Sequence, residues 1–247
     1  MTTTIWRVPF VGYRQHYREH RRDILDTIDR VLSGGDLILR EQHDRFESHL
    51  AAFCGVQHAR GISNGSDALQ LTVRAAGIGP GDEVITVSHT FVATAAAVVF
   101  AGGTPVLIDI GDDHNMDPAR IEAAITPRTK AVLPVHLNGR VCDMAPILEI
   151  ARAHGLTVIE DAAQCLGATY RGRQGGTFGL AGSFSFYPAK LLGAFGDAGA
   201  LVTDDLAVAE RVSLWRNHGR LPDGEVAAWS FNHRLDNLQA ALLDRKS

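Results

Sequence analysis

The sequence predicts an α/β domain whose mainly parallel sheet is covered by helices on both faces. Short apolar segments of strand length alternate with segments of helical periodicity, which is the pattern of such a sheet. The 247 residues are 45% hydrophobic and 21% charged, so the chain can bury one large core. Polar residues follow several predicted strands, and ligands of such sheets bind beyond the carboxyl ends of the strands.

Two amphipathic helices come before the first predicted strand. Residues 13–32 place apolar side chains at helical spacing among many charged ones, and Gly34 and Gly35 end the helix. Residues 41–54 repeat this pattern, and Gly55 is the predicted stop.

The first strand is predicted to end at Ile62 and to be followed by a turn at residues 63–65. Ser66 or Asp67 then caps a helix that runs to about Ala76. A glycine-containing turn into a helix N-terminus presents free N–H groups to an anion such as phosphate. An ordinary capped helix is the alternative interpretation.

The next part of the chain alternates regularly between the two element types. The predicted strands are 83–87, 104–110, 130–135 and 156–160, and the predicted helices are 91–101, 118–125 and 145–154.

Two motifs in this part resemble ligand sites but have the wrong context. The glycine run 77–81 precedes a strand, whereas a dinucleotide fingerprint follows a strand and opens a helix, so a nicotinamide-dependent oxidoreductase is disfavoured. The spacing of the acidic residues in 112–117 does not match that of an EF-hand calcium loop. A turn with an Asx cap before Pro118 is predicted instead.

A lysine follows the last strand of this series at a chemically useful position. Residues 183–186 alternate polar and apolar side chains, which predicts a short half-buried strand, and Pro188 ends it. Lys190 is the only lysine between Lys130 and Lys246. A lysine on a turn after a buried strand can be desolvated and can form a Schiff base. The alternative is a solvated surface lysine.

Three other residues also allow two interpretations each. Asp161 directly follows a predicted strand, where a carboxylate can keep a pyridinium nitrogen protonated or can serve as a helix cap or salt-bridge acid. Phe91 is either a core residue or a face that stacks on a cofactor, and Ser185 is either a ligand or simply a hydrogen-bonded hydroxyl.

Composition and charge exclude several classes of protein. The net charge of −4 gives no indication of a nucleic-acid or anionic-membrane partner. Cys54, Cys142 and Cys165 form no CxxC pair, so neither a zinc ribbon nor a disulfide framework is predicted, and no metal site is expected. A reducing cytoplasm is the expected location. Residues 1–23 lack the apolar core of a signal peptide, and the apolar window 91–103 is too short to span a bilayer.

Five segments, taken together and in this order, are similar to the DegT/DnrJ/EryC1/StrS family of sugar aminotransferases, which use pyridoxal 5′-phosphate (PLP). The segments are SNGSDALQLTVRAAGIGPGDEVITVSHTFVATAAAVVFAGGTPVLIDI, PVHLNGRVCDM, VIEDAAQCLGATYRGRQGGTFG, FSFYPAKLLGAFGDAGALVTDD and FNHRLDNLQAALL. The resemblance implies the aspartate-aminotransferase fold (PLP fold type I), with a mainly parallel, seven-stranded type of sheet. It assigns residues 1–35 to an N-terminal segment and helix and residues 36–247 to the PLP-binding large domain.

The resemblance also implies roles around the cofactor ring. Lys190 lies where the family has its Schiff-base lysine, and Asp161 matches the acid that pairs with the pyridine nitrogen. Gln164 matches the amide beside the ring hydroxyl, and Phe91 occupies the place of the aromatic side chain that stacks on the ring.

A second set of implied roles concerns the cofactor phosphate. Gly65, Ser66 and Asp67 correspond to the turn that cradles it, and Ser185 corresponds to a hydroxyl that also holds it. Asn232 resembles the asparagine that reaches the phosphate of the other subunit, so an obligate homodimer with shared active sites is implied.

The implied reaction is transamination of a keto group on a nucleotide-linked deoxysugar, with glutamate as amino donor and Lys190 as general base. A dehydratase branch of the family carries histidine at this position, so the lysine favours transamination. Family members continue past residue 247 with a smaller C-terminal domain, which this chain is expected to lack for the most part. The alternative is therefore a truncated, non-catalytic remnant that folds or binds PLP without turnover.

Overall fold

A computed structural model gives the structure of residues 8–9 and 11–246. The prediction that the N-terminus carries no signal peptide rests largely on residues 1–7 and 10, which lie outside the described residues. Within the described part of the chain, no helix is long and apolar enough to cross a membrane.

Helices and strands alternate along the chain as the sequence predicts. In order, the elements are α1 (Tyr13–Gly34), α2 (Glu41–Cys54), β1 (His58–Ile62), α3 (Gly65–Ala75), β2 (Glu83–Val87), α4 (Ala93–Phe100), β3 (Thr104–Ile108), a 3₁₀ turn (Pro118–Arg120), α5 (Ile121–Ala124), β4 (Thr129–Val132), a second 3₁₀ turn (Leu137–Gly139), α6 (Met144–Ala153), β5 (Thr157–Val158), β6 (Glu160–Asp161), β7 (Thr169–Tyr170), β8 (Arg173–Gln174), β9 (Gly182–Ser185), β10 (Gly199–Thr203), α7 (Leu206–Trp215) and α8 (Asn237–Lys246).

The strands form a mainly parallel sheet, as predicted. Two four-stranded sheets have the orders β3-β2-β4-β5 and β6-β9-β10-β1. They are joined because β5 and β6 are separated only by Ile159, whose N–H donates to the carbonyl of Val132 at 3.1 Å. Counting β5 and β6 as one interrupted strand, the described residues form a seven-stranded sheet in which only β10 runs antiparallel to its neighbours.

Helices cover both faces of this sheet and bury its apolar side chains. On one face α2 and α8 enclose a cluster that includes Phe46, Phe184 and Phe186. The rings of Phe46 and Phe186 meet edge to face, with centroids 5.5 Å apart. On the other face α3 and α4 pack over Val84 and Leu133 of the parallel strands and their extensions.

Glycine ends the first two helices, as predicted. Gly35 and Gly55 lie just past α1 and α2 with φ of 75° and 71°, in the left-handed region where a residue without a Cβ is favoured. The sequence therefore locates both C-termini to within two residues. The predicted division between an N-terminal segment, residues 1–35, and the large domain from residue 36 onward stays a prediction.

Several local predictions need correction. The N-cap of α3 is Asn64, whose side chain accepts from the N–H of Asp67, and not Ser66 or Asp67. The segment 118–125 is a 3₁₀ turn followed by a single short α-helix, because the chain leaves helical geometry at Ile125. The predicted Asx cap is confirmed, since Asp117 accepts from the N–H of Ala119 at 3.0 Å.

The strand β9 is more buried than predicted, since Gly182, Ser183 and Phe184 are buried and only Ser185 is partly exposed. It lies between β6 and β10, with α3 on one face and the aromatic cluster on the other. The polar residue Ser183 is tolerated there because its hydroxyl hydrogen-bonds to that of Thr72 on α3 at 2.7 Å. Alternation of polar and apolar residues therefore overstated the exposure of this strand.

A buried polar network ties α2 to β1 and to the end of α7. Glu47 accepts hydrogen bonds from the N–H of Gly61, at 2.6 Å, and from the guanidinium of Arg216. His43, on the same helix face, lies 3.4 Å from Glu47, and burial lowers the pKa of its imidazole despite that carboxylate. Each charged group of the network is thus buried beside a partner.

Truncation of Phe46 tests the role of the aromatic cluster in stability. Because Phe46 is only 2% exposed, Phe46→Ala is expected to lower the free energy of unfolding by about 3–5 kcal/mol. Phe53 lies on the same helix but is 60% exposed, so Phe53→Ala should change stability by only about 0.5 kcal/mol. Urea unfolding of both variants measures the difference, and equal losses would contradict this description of the core.

Candidate active site

A cleft of about 740 Å³ opens at the carboxyl ends of the parallel strands β1, β2, β6 and β9. Eight of the nine predicted site residues line it: Gly65, Ser66, Asp67, Phe91, Asp161, Gln164, Ser185 and Lys190. Parallel strands end at one edge of a sheet, so residues that are more than a hundred positions apart in sequence meet there. The ninth residue, Asn232, is not among the lining residues and lies exposed elsewhere.

Asp161 is a buried carboxylate at the end of β6. Its Oδ2 accepts from the hydroxyl of Thr94 at 2.7 Å, and its Oδ1 accepts from the N–H of Ala163 at 3.1 Å. Burial raises the pKa of this carboxyl above its ordinary value, although both hydrogen bonds favour the charged form. A cationic N–H placed beside Asp161 would stabilise its charged form against this burial.

Thr94 is a partner of Asp161 that the sequence analysis missed. It lies in the first turn of α4, and its hydroxyl also meets that of Thr90 at 2.7 Å. The residue is completely buried in a helix of small apolar residues, where a lone polar side chain needs a partner. That partner is 67 positions away in the sequence, and no local pattern indicates it.

Lys190 lies half-buried in the cleft on a tight turn after β9. The turn is closed by the N–H of Lys190, which donates to the carbonyl of Tyr187 at 2.8 Å, and by the N–H of Ala194, which donates to Phe186 at 2.8 Å. Burial lowers the pKa of the lysine, and the negative charge of Asp161 opposes that shift. Lys190 is therefore partly desolvated, which favours the desolvated interpretation over that of a fully solvated surface lysine.

The N-terminus of α3 forms the part of the cleft suited to an anion. The side-chain oxygen of Asn64 accepts a hydrogen bond from the N–H of Asp67 at 2.8 Å. Its backbone carbonyl accepts one from the N–H of Ala68 at 3.1 Å. No described residue accepts a hydrogen bond from the N–H of Gly65 or Ser66, so both donors remain free for a ligand.

Glycine is required where α3 meets β9. A Cβ on Gly65 would lie 2.6 Å from the Cβ of Ser185 and 3.0 Å from its hydroxyl oxygen. Because Gly65 has no side chain, Ser185 can lie this close to the start of α3.

Phe91 and Gln164 complete the cleft wall. The ring of Phe91 is 68% exposed, so the core interpretation is wrong and its face is available to a ligand. The side-chain oxygen of Gln164 accepts from the N–H of Asn138 at 3.1 Å, which orients the amide.

His136 is a fully buried residue in the lining of the cleft, and its partners fix its position. Its Nδ1 lies 3.2 Å from the backbone nitrogen of Cys142, and its Nε2 lies 2.8 Å from a carboxylate oxygen of Glu160. Burial alone would lower the pKa of the imidazole, but the interactions with Cys142 and Glu160 outweigh it and raise the pKa to about 10. Glu160 also accepts the N–H groups of Gly176 and Gly179, at 2.8 and 2.7 Å, so the loop before β9 is held to β6.

The chain matches a protein-family model over most of its length. Residues 18–246 match the model of the DegT/DnrJ/EryC1/StrS aminotransferase family.

Individual proteins give further similarities. A relative from Streptomyces venezuelae named dTDP-3-amino-3,4,6-trideoxy-alpha-D-glucose transaminase is 48% identical over 96% of this chain and 63% of its own length. A relative from Geobacillus stearothermophilus named pleiotropic regulatory protein is 44% identical over 97% of this chain and 64% of its own length. The chain therefore spans less than two thirds of these relatives.

A solved structure is similar over nearly the whole chain. The crystal structure of S. venezuelae DesV in complex with a ketimine intermediate superposes with a TM-score of 0.93 at 48% identity. The match covers 97% of this chain and 65% of that one.

The pH dependence of Lys190 acylation tests the electrostatics of the cleft. Because burial lowers the pKa of Lys190, its amine should become reactive toward acetic anhydride at a pH below that of an ordinary lysine. In Asp161→Asn the opposing negative charge is gone, so the reactivity profile should move to still lower pH. Mass spectrometry of the labelled peptides measures both profiles, with the exposed Lys130 as internal comparison. An unchanged or upward shift in the variant would contradict the coupling of the two residues.

Proposed function

Because this chain belongs to the DegT/DnrJ/EryC1/StrS aminotransferase family, we propose that it is a PLP-dependent enzyme that converts a keto group of a nucleotide-linked deoxysugar into an amine. Aminotransferases of this family are PLP-dependent. The S. venezuelae relative is named for a dTDP-linked amino sugar, which supports this substrate class. The observation that carries the proposal is the single cleft that contains Lys190, Asp161 and the free N-terminus of α3.

The residues of the cleft fit the chemical groups of PLP. The buried carboxylate of Asp161 suits a protonated ring nitrogen, whose positive charge would offset the burial. The free N–H groups of Gly65 and Ser66, together with the Ser185 hydroxyl, suit a phosphate. The exposed face of Phe91 suits an aromatic ring, and the amine of Lys190 suits an aldehyde.

When bound, PLP acts as an electron sink for the carbon that carries the transferred nitrogen. Asp161 would hold the proton on the ring nitrogen and so preserve that capacity. Lys190 Nζ would take a proton from one carbon and return it to another, because burial keeps a larger share of its amine neutral than for an ordinary lysine. Phe91 and the phosphate-binding groups would fix the orientation of the ring during this transfer.

Glutamate is the proposed amino donor on the strength of the family resemblance.

All three cysteines are buried free thiols, which supports a reducing compartment such as the cytoplasm.

A homodimer with shared active sites is also proposed. Large apolar side chains are strongly exposed on this chain, among them Phe100 at 77%, Trp229 at 90% and Phe231 at 73%. Contiguous exposed apolar patches are typical of protein interfaces, and Trp229 and Phe231 are only two positions apart in the chain. Asn232 directly follows Phe231 and is itself exposed, which suits a residue that reaches the phosphate of the other subunit.

A second candidate is a regulatory protein that binds PLP without turnover. The relative from G. stearothermophilus, 44% identical to this chain, is named as a regulatory protein, and this observation favours the candidate. Cofactor binding and transamination must therefore be measured separately.

Borohydride reduction tests the cofactor site. The purified chain is incubated with PLP, reduced and digested, and the labelled peptide should contain Lys190, because that lysine is the one that lines the cleft. Lys190→Ala should abolish the label, whereas Lys130→Ala, at an exposed position, should retain it. A label that persists in Lys190→Ala would move the site elsewhere.

Turnover of an amino sugar tests the reaction. With a dTDP-linked 3-amino sugar and 2-oxoglutarate, the chain should form glutamate, and Asp161→Ala should reduce the rate by about 100-fold or more because the ring nitrogen loses its counter-charge. PLP binding should be weakened but retained. Normal turnover in Asp161→Ala would refute the role of the carboxylate. A wild-type chain that labels Lys190 yet forms no glutamate would support the regulatory candidate.

A further inference from the structure

We propose that His233 is a positioning residue for the phosphate-binding turn, and that it acts by holding the carboxylate of Asp67 away from the bound phosphate. The inference rests on the proposed function, because it assigns the N-terminus of α3 to the phosphate of PLP. It goes beyond that function by giving roles to the side chains behind the turn.

His233 is buried directly behind the start of α3. The residue is 7% exposed, and its Nδ1 lies 3.1 Å from Oδ2 of Asp67. The same oxygen accepts from the hydroxyl of Ser63 and, at 3.1 Å, from the amide of Asn64. Two donor groups thus hydrogen-bond to this carboxylate oxygen, and the imidazole of His233 lies within ion-pair distance of it.

Backbone hydrogen bonds fix the position of His233 relative to the turn. The N–H of Ser63 donates to the carbonyl of His233 at 2.9 Å, and the N–H of His233 donates to the carbonyl of Arg216 at 2.9 Å. Ile62 and Arg234 form an antiparallel bridge beside them. The imidazole therefore cannot move away from Asp67 without breaking the contact between this segment and the end of β1.

Asp67 needs such a partner because it lines an anion site. Burial alone would raise the pKa of its carboxyl, but the interactions with His233 and Ser63 outweigh it and lower the pKa. The group is therefore an anion at neutral pH, and it lines the same cleft as the free N–H groups of Gly65 and Ser66. An anion beside a phosphate reduces affinity unless its charge is offset and its oxygens are turned toward donors.

The comparison of PLP with pyridoxal isolates this role. Both ligands can react with Lys190, but only PLP carries the phosphate. In His233→Ala the dissociation constant of PLP should rise about tenfold, because the contact of the imidazole with the Asp67 carboxylate is lost, while that of pyridoxal should hardly change. His233→Asn keeps an N–H donor near the position of Nδ1 and should restore the preference for PLP. His154→Ala, at the exposed C-cap of α6, is the matched control and should bind both ligands like the wild type.

A double variant provides an independent check. If His233 acts by offsetting the charge of Asp67, then Asp67→Asn should suppress most of the effect of His233→Ala on the PLP-to-pyridoxal ratio. Equal weakening of both ligands in His233→Ala would indicate general loosening of the structure and would overturn the proposal, as would an unchanged ratio. Borohydride labelling of Lys190 in the wild type reports on the cofactor site itself, so failure of the proposed function is seen separately from failure of this inference.

Discussion

Two neighbouring buried carboxylates on β6 hold the cleft together. Successive side chains of a strand point to opposite faces, so Glu160 and Asp161 serve different sides of the same sheet. Glu160 forms hydrogen bonds with His136 and with the loop N–H groups of Gly176 and Gly179. Asp161 accepts a hydrogen bond from Thr94 of α4. A carboxylate buried without such partners would cost several kcal/mol, so the surrounding loops can adopt only the paths that bring donors to β6.

Close backbone approach is the second constraint on the cleft. A Cβ at Gly182 would lie 2.1 Å from the carbonyl oxygen of Gly176, and one at Gly193 would lie 2.4 Å from that of Pro188. These contacts bring the loop before β9 and the turn after it close to the strands, and Lys190 lies on that turn. The buried carboxylates determine which polar groups meet at the cleft. The glycines have no side chains, so the backbone segments that carry these groups can approach each other closely.

Most of the fold could be predicted from local patterns, and the reasons for the misses are physical. The helix α2 and the strand β2 have the predicted bounds, because a glycine stop and a short apolar run are signals carried within a few residues. The exposure of β9 could not be predicted, because it depends on neighbours that come from distant parts of the sequence. The same holds for Thr94, whose importance is visible only beside Asp161. The predicted residues that line the cleft were identified from ordered motifs, and the motifs do not reveal the supporting pair of His136 and Glu160.

The burial of the three cysteines has a practical consequence for handling this protein. Cys54 and Cys165 are enclosed in the aromatic cluster and its surroundings, and burial raises the pKa of the Cys54 thiol to about 12. Thiols react as thiolates, so these side chains should resist alkylation and air oxidation while the chain is folded. A cysteine introduced on the surface would then be the reactive thiol of the folded molecule. Fluorescent or spin probes can therefore be attached at a chosen site without first replacing the natural cysteines.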